Sequence, residues 1–445
     1  MHGHHGGISD RIRLFLKLQR RCEPHLAGLR SLIGRRSQEN SCLTGNCNHE
    51  APKSLRATMN DTVQNAPTFG DRLNAIASAG SAAGLRAVLA ARWPAFATAN
   101  LKELAIVGAA DEGMRLAALC RQHGIIVRAI ADDNPARQTQ TVEGLKVTPV
   151  EELQRLDRAT PVIVASHRSL LPVRRLREMG FVNVAPFLLL QTLDPARFPP
   201  HMFHDGLLED LADNLERYRE LGELVADDYS RAVLAAVIGY RLTADPVELD
   251  PVVEWELYGP NNLLNYGTDE VYVDGGAFDG DSIRLFIKRV DNRFAEVIAF
   301  EPDPATFRRL QANFADEPRV HPINAGLHRT KATLRFDNAG TRGSVLVSSG
   351  GITIPVVGLD EVLNGARVSY IKMNIEAAEI AALEGAAASI RRWAPKLAIS
   401  AYHMPDHLWR VPATIRNLRP DYRLYFRQHD GGIIETVTYA LPANV

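Results

Sequence analysis

The chain has 445 residues, which is long for one ordinary domain and predicts two or three. Hydrophobic residues make up 46% and charged residues 23%, the usual balance of a globular protein with a sizeable core. The formal net charge of -1 gives no support for a polyanionic partner, so we expect no nucleic-acid binding.

The cysteines indicate a reducing compartment. They are Cys22, Cys42, Cys47 and Cys120, and their spacing forms no CxxC pair, which argues against a disulfide framework and against a zinc site. No apolar run is long enough to span a bilayer, and the N-terminus lacks the continuous apolar stretch of a signal peptide. These observations favour a cytoplasmic protein without a metal and without stable membrane insertion.

Residues 1–65 differ from the rest in composition. HGHHGG opens the chain and is followed by the basic stretch RIRLFLKLQRRCEPHLAGLRSLIGRR. A poorly ordered extension is one interpretation, and a basic amphipathic helix for a membrane surface or a partner is the other. Met59 begins MNDTVQNAPTFGDRL, which is typical of the start of a domain, so residues 1–58 are candidates for a mis-assigned start.

Residues 68–200 alternate predicted strands and helices, which indicates a Rossmann-like domain with a parallel sheet. Gly108 and Gly113 flank a turn in VGAADEG, but Ala110 stands where a second turn glycine is expected in a dinucleotide site. Asp132 ends the next strand, where it can act as a ribose acid. Nucleotide binding and a structural or substrate-presenting role therefore both remain open for this domain.

Apolar residues recur every three or four positions after residue 206, which predicts amphipathic helices in a linker over residues 201–260. They are Leu207, Leu211, Leu215, Tyr218 and Leu221.

Residues 261–445 contain nine strand candidates and form the second predicted α/β domain. The last two candidates, YRLYFR and ETVTYA, flank Asp430-Gly431-Gly432, a strong hairpin signal. We therefore predict a parallel sheet closed by an antiparallel C-terminal hairpin, the outline of a Rossmann-like methyltransferase.

The segment VYVDGGAFDGDS carries the clearest chemistry. Asp274 ends a strand, Gly275, Gly276 and Gly280 form the turn, and Ser282 starts the next helix. This D-x-G-x-x-x-G spacing differs from the G-x-G-x-x-G of dinucleotide enzymes. An acid at the strand end would repel a pyrophosphate but suits the ammonium of S-adenosylmethionine, so the turn predicts that cofactor.

A second acid follows at the tip of the next strand. Glu301 in EVIAFEPDP can accept both ribose hydroxyls as a bidentate pair. The third strand of this region, in RVHPINAGLHR, ends at Asn324 and Ala325, where either an adenine edge or a plain turn is expected.

Together these segments resemble the FkbM-type methyltransferases, and further matches are SYIKMNIEAAEIAALEGA and KLAISAYHMPDHLW. The resemblance spans roughly residues 200–440. It implies O-methylation of a sugar or secondary metabolite with S-adenosylmethionine as donor, and it implies that Asp274, Gly276, Gly280 and Glu301 bind the cofactor. The family's pattern IKxDxEGxE is altered here, because Asn374 replaces an Asp and Ala377 replaces a Gly.

An alcohol needs a base or close alignment before it attacks a methyl group. His403 follows the strand KLAISAY and is the first candidate, with a structural role beside Tyr402 as the alternative. Lys372 and Glu376 are rival candidates, whereas Asn374 cannot take a proton.

The sequence thus predicts an O-methyltransferase for a small-molecule or glycan acceptor. A non-catalytic cofactor-binding regulator, favoured by Asn374, is one alternative. An NAD-linked or nucleotide-sugar enzyme that uses the N-terminal domain is the other.

Overall fold

In the computed structural model, the described residues are 66–97, 99, 101–201, 203–259, 263–336 and 352–443. The predicted extension over residues 1–65, with three of the four cysteines and Met59, lies outside them. The remaining cysteine, Cys120, is a buried free thiol whose pKa burial raises to about 12.

Two helices open the described chain. Helix α1 begins with a capping box, in which Asp71 N–H donates to Thr68 Oγ1 at 3.2 Å and Thr68 N–H donates to the Asp71 carboxylate at 2.8 Å. Gly80, in the left-handed conformation, ends it. The bounds are α1 Phe69–Ala79 and α2 Ala82–Arg92.

The N-terminal domain is built on a six-stranded sheet in the order β3-β4-β2-β1-β5-β6. Strands β1, β2, β4, β5 and β6 pair in parallel, as alternating strands and helices predict, and β3 joins the edge antiparallel to β4. The strands are β1 Glu103–Val107, β2 Ile126–Ala131, β3 Thr141–Val142, β4 Leu145–Thr148, β5 Val162–Val164 and β6 Val184–Pro186. The α-helices of this domain are α3 Asp111–Gln122, α4 Leu170–Glu178 and α5 Leu188–Leu193.

The predicted linker region is helical, and its helices are α6 Leu207–Asp213, α7 Leu215–Leu224 and α8 Asp228–Thr243. Helix α8 is buried along most of its length and belongs to the same apolar core as the C-terminal sheet. Ser230 in α8 accepts the Phe426 N–H at 2.9 Å, which fixes this helix against the C-terminal hairpin. The region therefore packs as part of the core of the C-terminal sheet.

The C-terminal domain contains a seven-stranded sheet in the order β15-β16-β14-β13-β7-β8-β9. Strands β14, β13, β7, β8 and β9 are parallel, and β16 pairs antiparallel with both β14 and β15, so the predicted hairpin is confirmed. The strands are β7 Val271–Gly275, β8 Glu296–Phe300, β9 Val320–Ile323, β13 Tyr370–Met373, β14 Lys396–Ser400, β15 Arg423–Gln428 and β16 Thr436–Leu441.

A small three-stranded sheet lies between β9 and β13 in the chain. Its strands are β10 Gly326–Leu327, β11 Ala332–Phe336 and β12 Ile352–Val357, in the order β10-β12-β11. The helices of the C-terminal domain are α9 Asp281–Arg289, α10 Pro304–Asn313, α11 Leu359–Leu363, α12 Glu379–Glu384, α13 Ala387–Trp393 and α14 His407–Leu418.

Within the described ranges, no single helix combines the length and apolar composition of a membrane span. Helices α1 and α2 reach that length and composition only together, as a pair bent by 108°.

Candidate functional site

A cleft of about 1250 Å³, counted with its open mouth, lies along the carboxyl edge of the C-terminal sheet. The cleft is lined by residues that follow the strand ends and by residues of the small sheet. The lining of the cleft divides into two parts, because the strands along this edge follow the order β16-β14-β13-β7-β8. We call the part beside β7 and β8 the cofactor end and the part beside β13, β14 and β16 the acceptor end.

The cofactor end contains several of the predicted residues. Gly276, Ser282 and Glu301 line it, together with Phe278 and with Ile354 from the small sheet. A glycine is required at position 276 for a reason that the sequence does not reveal. Its φ is +72°, and a Cβ there would lie 2.0 Å from the carbonyl oxygen of Asn374.

Glu301 lies at the carboxyl end of β8 with both carboxylate oxygens engaged by backbone. Phe278 N–H donates to one oxygen and Asp303 N–H to the other, each at 2.9 Å. A carboxylate offers about four acceptor positions, so hydroxyl groups of a ligand can still bind. Burial raises the pKa of Glu301 to about 7.

Asp274 is fully buried and does not line the cleft. Lys372 Nζ donates to its carboxylate at 2.9 Å and Ser282 Oγ donates at 2.5 Å. Lys372 Nζ also donates to the carbonyl oxygens of Gly275 at 3.2 Å and Gly276 at 2.9 Å. This geometry argues against direct pairing of Asp274 with a cofactor ammonium, because Lys372 already neutralises its charge.

The other predicted cofactor residues lie behind the lining. Gly280 packs against Phe314, where a Cβ would lie 2.1 Å from the ring. The Asn324 side chain donates to the carbonyl oxygens of Glu301 at 2.9 Å and Pro302 at 3.1 Å, and Ala325 is buried. These residues support the strand ends that form the wall.

The acceptor end brings together Tyr258, Asn374, Glu376, Tyr402 and Glu435. The Asn374 amide bridges the two phenols, because its Nδ2 donates to the Tyr258 hydroxyl at 2.8 Å and its Oδ1 accepts from the Tyr402 hydroxyl at 3.2 Å. Burial, together with the Glu435 carboxyl, raises the pKa of both tyrosines well above the usual range. The phenols therefore stay protonated.

Glu376 lies in a strained turn after β13. Its φ is +52° and that of Ala377 is +75°, a region that favours glycine. Strained backbone persists only where the surrounding structure holds it, and it clusters at functional sites.

His403 is placed differently from the sequence prediction. Its side chain is 0% exposed and does not line the cleft. The imidazole lies 2.8 Å from Glu379 and 3.7 Å from Glu376. Burial opposes its charged form, but Glu379 and Glu376 outweigh burial and raise the pKa of His403 to about 9. A buried imidazolium cannot take a proton from an acceptor, so the geometry argues against His403 as the base.

The N-terminal domain and the linker helices support the loops of the acceptor end. The Phe203 ring lies 5.7 Å from that of Tyr402 and 5.8 Å from that of His403. Leu170 N–H donates to the Gly431 carbonyl oxygen at 2.7 Å, next to the loop that carries Glu435.

Three residues of the acceptor end, Tyr258, Tyr402 and Glu435, were not predicted as site residues, because they are far apart in the chain and share no motif.

In the N-terminal domain, Asp132 follows β2 and its side chain is engaged by neighbouring groups. Its carboxylate accepts the Ala109 and Asn134 N–H groups, each at 2.8 Å, and the Arg137 guanidinium lies 3.3 Å away. Among the residues within the described ranges, no group of three or more His, Cys, Asp and Glu side chains is arranged to hold a metal ion.

Comparison with known proteins gives a consistent result. Residues 274–430 match the family model of the methyltransferase FkbM domain. Hexuronic acid methyltransferase AglP of Haloferax volcanii is 31% identical over 162 residues, which cover 34% of this chain and 67% of AglP. The crystal structure of Methyltransferase FkbM from Methylobacillus flagellatus KT superposes with a TM-score of 0.65 at 25% identity, covering 86% of this chain and 99% of that one.

That coverage extends well beyond the residues that match the family model. The chain belongs to the FkbM family of methyltransferases.

Proposed function

We propose that this chain transfers a methyl group from S-adenosylmethionine to a hydroxyl oxygen of a sugar or a related metabolite. The observation that carries the proposal is one continuous cleft with a ribose-type acid, Glu301, at one end and hydrogen-bonding side chains at the other. The family membership supports methyl transfer. The hexuronic acid in the name of AglP supports a sugar acceptor.

The residues of the cofactor end fit S-adenosylmethionine. Glu301 has acceptor positions left for two ribose hydroxyls, and Phe278 and Ile354 provide apolar surface beside it. Asp274 lies behind the turn, and Lys372 connects it to the carbonyl oxygens of Gly275 and Gly276, so we assign both side chains a positioning role. S-adenosylmethionine supplies an electrophilic methyl group when it is bound.

For the acceptor end we propose Glu376 as the group that takes the hydroxyl proton. It lines the cleft, it follows β13 directly, and the strained turn fixes its direction. As the new O–CH₃ bond forms and the methyl group leaves the donor sulfur, the O–H proton passes to the Glu376 carboxylate. The imidazolium of His403, 3.7 Å away and outside the lining, positions that carboxylate.

Replacement of the carboxylate tests this assignment. We expect Glu376→Gln to lower kcat by about 10²–10⁴, the usual contribution of a general base, while the dissociation constant of S-adenosylmethionine stays the same. Calorimetric titration measures cofactor binding, and mass spectrometry of an acceptor panel measures turnover. His403→Gln is the matched variant and should cost less, because it changes only the support of Glu376.

Near-normal turnover in Glu376→Gln together with a large loss in His403→Gln would contradict the assignment. A chain that binds S-adenosylmethionine but methylates nothing in a broad panel of acceptors would instead favour a cofactor-binding regulator.

A further inference from the structure

Three side chains of the acceptor end form a chain of hydrogen bonds that runs in one direction. The Tyr402 hydroxyl donates to Asn374 Oδ1 at 3.2 Å, and Asn374 Nδ2 donates to the Tyr258 hydroxyl at 2.8 Å. All three side chains line the cleft. An amide accepts at its oxygen and donates at its nitrogen, so Asn374 gives the two phenols opposite roles.

The roles follow from the single proton that each phenol carries. Tyr402 donates its proton to Asn374, so its oxygen can only accept from a ligand. Tyr258 accepts from Asn374, so its own proton remains available for a ligand. Burial raises the pKa of both phenols well above the usual range, and both therefore stay protonated. The buried Ser400 hydroxyl opposes the rise in the pKa of Tyr258, as a hydrogen-bond donor does, and it accepts no hydrogen bond within the described residues.

The backbone holds this chain in place before a ligand arrives. Tyr258 has a φ of +55°, a conformation that its surroundings must impose. Its carbonyl oxygen accepts from the Tyr266 hydroxyl at 3.0 Å and from the Tyr370 hydroxyl at 3.5 Å. Asn374 N–H donates to the Gly275 carbonyl oxygen at 3.1 Å, which fixes the residue against the end of β7.

We infer that Tyr258, Asn374 and Tyr402 form a subsite for a second hydroxyl group of the acceptor, one that anchors the molecule and is not methylated. This inference rests on the proposed function and narrows its acceptor to molecules with at least two hydroxyl groups. The anchoring hydroxyl accepts the Tyr258 proton and donates to the Tyr402 oxygen, so it closes a ring of hydrogen bonds with the amide. It is not the reacting hydroxyl, because phenols that stay protonated cannot take its proton.

Glycosides that are altered at one hydroxyl at a time test the subsite. The probes are methyl glucoside, methyl galactoside and methyl mannoside, each with its monodeoxy and mono-O-methyl derivatives. A deoxy position neither donates nor accepts, whereas an O-methyl group still accepts but cannot donate. Calorimetry measures their binding to the full chain loaded with S-adenosylhomocysteine, and mass spectrometry locates the position that is methylated with S-adenosylmethionine.

We expect one position, different from the methylated one, at which both changes weaken binding by about three- to tenfold, the scale of one neutral hydrogen bond. Tyr402→Phe should remove the loss caused by the O-methyl group, because this variant has no oxygen to accept a proton. Tyr258→Phe should weaken binding of the parent glycoside but keep the O-methyl loss. Tyr425→Phe, in β15 and outside the cleft lining, is the matched control and should change neither.

The opposite pattern, in which Tyr258→Phe removes the O-methyl loss and Tyr402→Phe keeps it, would overturn the assigned roles. The subsite is also wrong if none of the three parent glycosides binds, or if every position other than the methylated one tolerates both changes. The proposed function fails separately, when S-adenosylmethionine itself does not bind.

Discussion

The chain contains one structural unit twice: a strand, a glycine turn, a helix, a second strand and an acid at its end. In the C-terminal domain the acid is Glu301. Its carboxylate accepts the N–H of Phe278, in the turn, and the N–H of Asp303, two residues after the acid. In the N-terminal domain the acid is Asp132, and it accepts the equivalent pair, from Ala109 and Asn134. The backbone geometry around the two acids is therefore nearly the same.

The two units differ in what surrounds the acid. Beside Glu301 the structure leaves a cleft, walled by Phe278 and by the small sheet. Asp132 lies outside that cleft, and the Arg137 guanidinium lies 3.3 Å from its carboxylate. We therefore call the C-terminal unit open and the N-terminal unit closed. A ligand site therefore depends on the neighbours of the unit, and the strand–turn–helix pattern alone does not define it.

The largest expected effect that separates the units comes from the turn glycines. Gly276→Val should abolish S-adenosylmethionine binding, because a side chain at φ +72° and 2.0 Å from the Asn374 carbonyl must displace the turn. Gly108→Val, at φ +104° and 2.9 Å from the Ala165 carbonyl, is the matched variant. Both should lower the free energy of unfolding by about 1–3 kcal/mol, but only the first should lose the cofactor.

Circular dichroism establishes that each glycine variant is folded, and calorimetry then measures cofactor binding. Loss of binding in folded Gly108→Val would mean that the N-terminal unit takes part in the site.

A smaller effect is expected from the two acids. Glu301→Gln should weaken S-adenosylmethionine binding by about 1–3 kcal/mol, the scale of lost hydrogen bonds to a charged group. Asp132→Asn should leave the dissociation constant unchanged, and neither variant should bind NAD. Equal losses in both variants would contradict the distinction between an open and a closed unit.

The cofactor end could be predicted from sequence to a large extent because its signals are local. Gly276, Ser282 and Glu301 follow two consecutive strands, and parallel strands bring their carboxyl ends to one edge. The parallel sheet and its C-terminal hairpin were predicted from the same short-range patterns of apolar residues and glycines.

The acceptor end could not be predicted in this way, because tertiary packing creates it. Glu435 reaches the cleft only because β16 inserts antiparallel beside β14, and Tyr258 comes from a segment before β7. Burial also argues against two of the expected roles. His403 follows a strand end, as a base should, but it points into a carboxylate pair, and Asp274 is neutralised by Lys372 from the neighbouring strand.

The smallest expected effect is a pH dependence of S-adenosylmethionine binding, which we assign to Glu301 in the open unit. Burial raises the pKa of Glu301 to about 7, against an ordinary value of 4.5. Below pH 7 the free chain carries a protonated Glu301, which is a weaker acceptor for ribose hydroxyls. The dissociation constant of S-adenosylmethionine should therefore rise as the pH falls from about 8 to 6, by at most about tenfold per pH unit.

The raised pKa of Glu301 also determines how the stability of the folded chain changes with pH. Because the pKa of Glu301 is raised in the folded chain, its contribution to stability is full below pH 4.5 and is lost as the pH rises through about 7. Cofactor binding should therefore become tighter over the same pH interval in which the contribution of Glu301 to stability declines. In Glu301→Gln the dissociation constant should be nearly constant from pH 6 to 8, and in Asp132→Asn it should keep the pH dependence of the unsubstituted chain. A pH dependence that survives in Glu301→Gln would assign the titration to another group of the cleft.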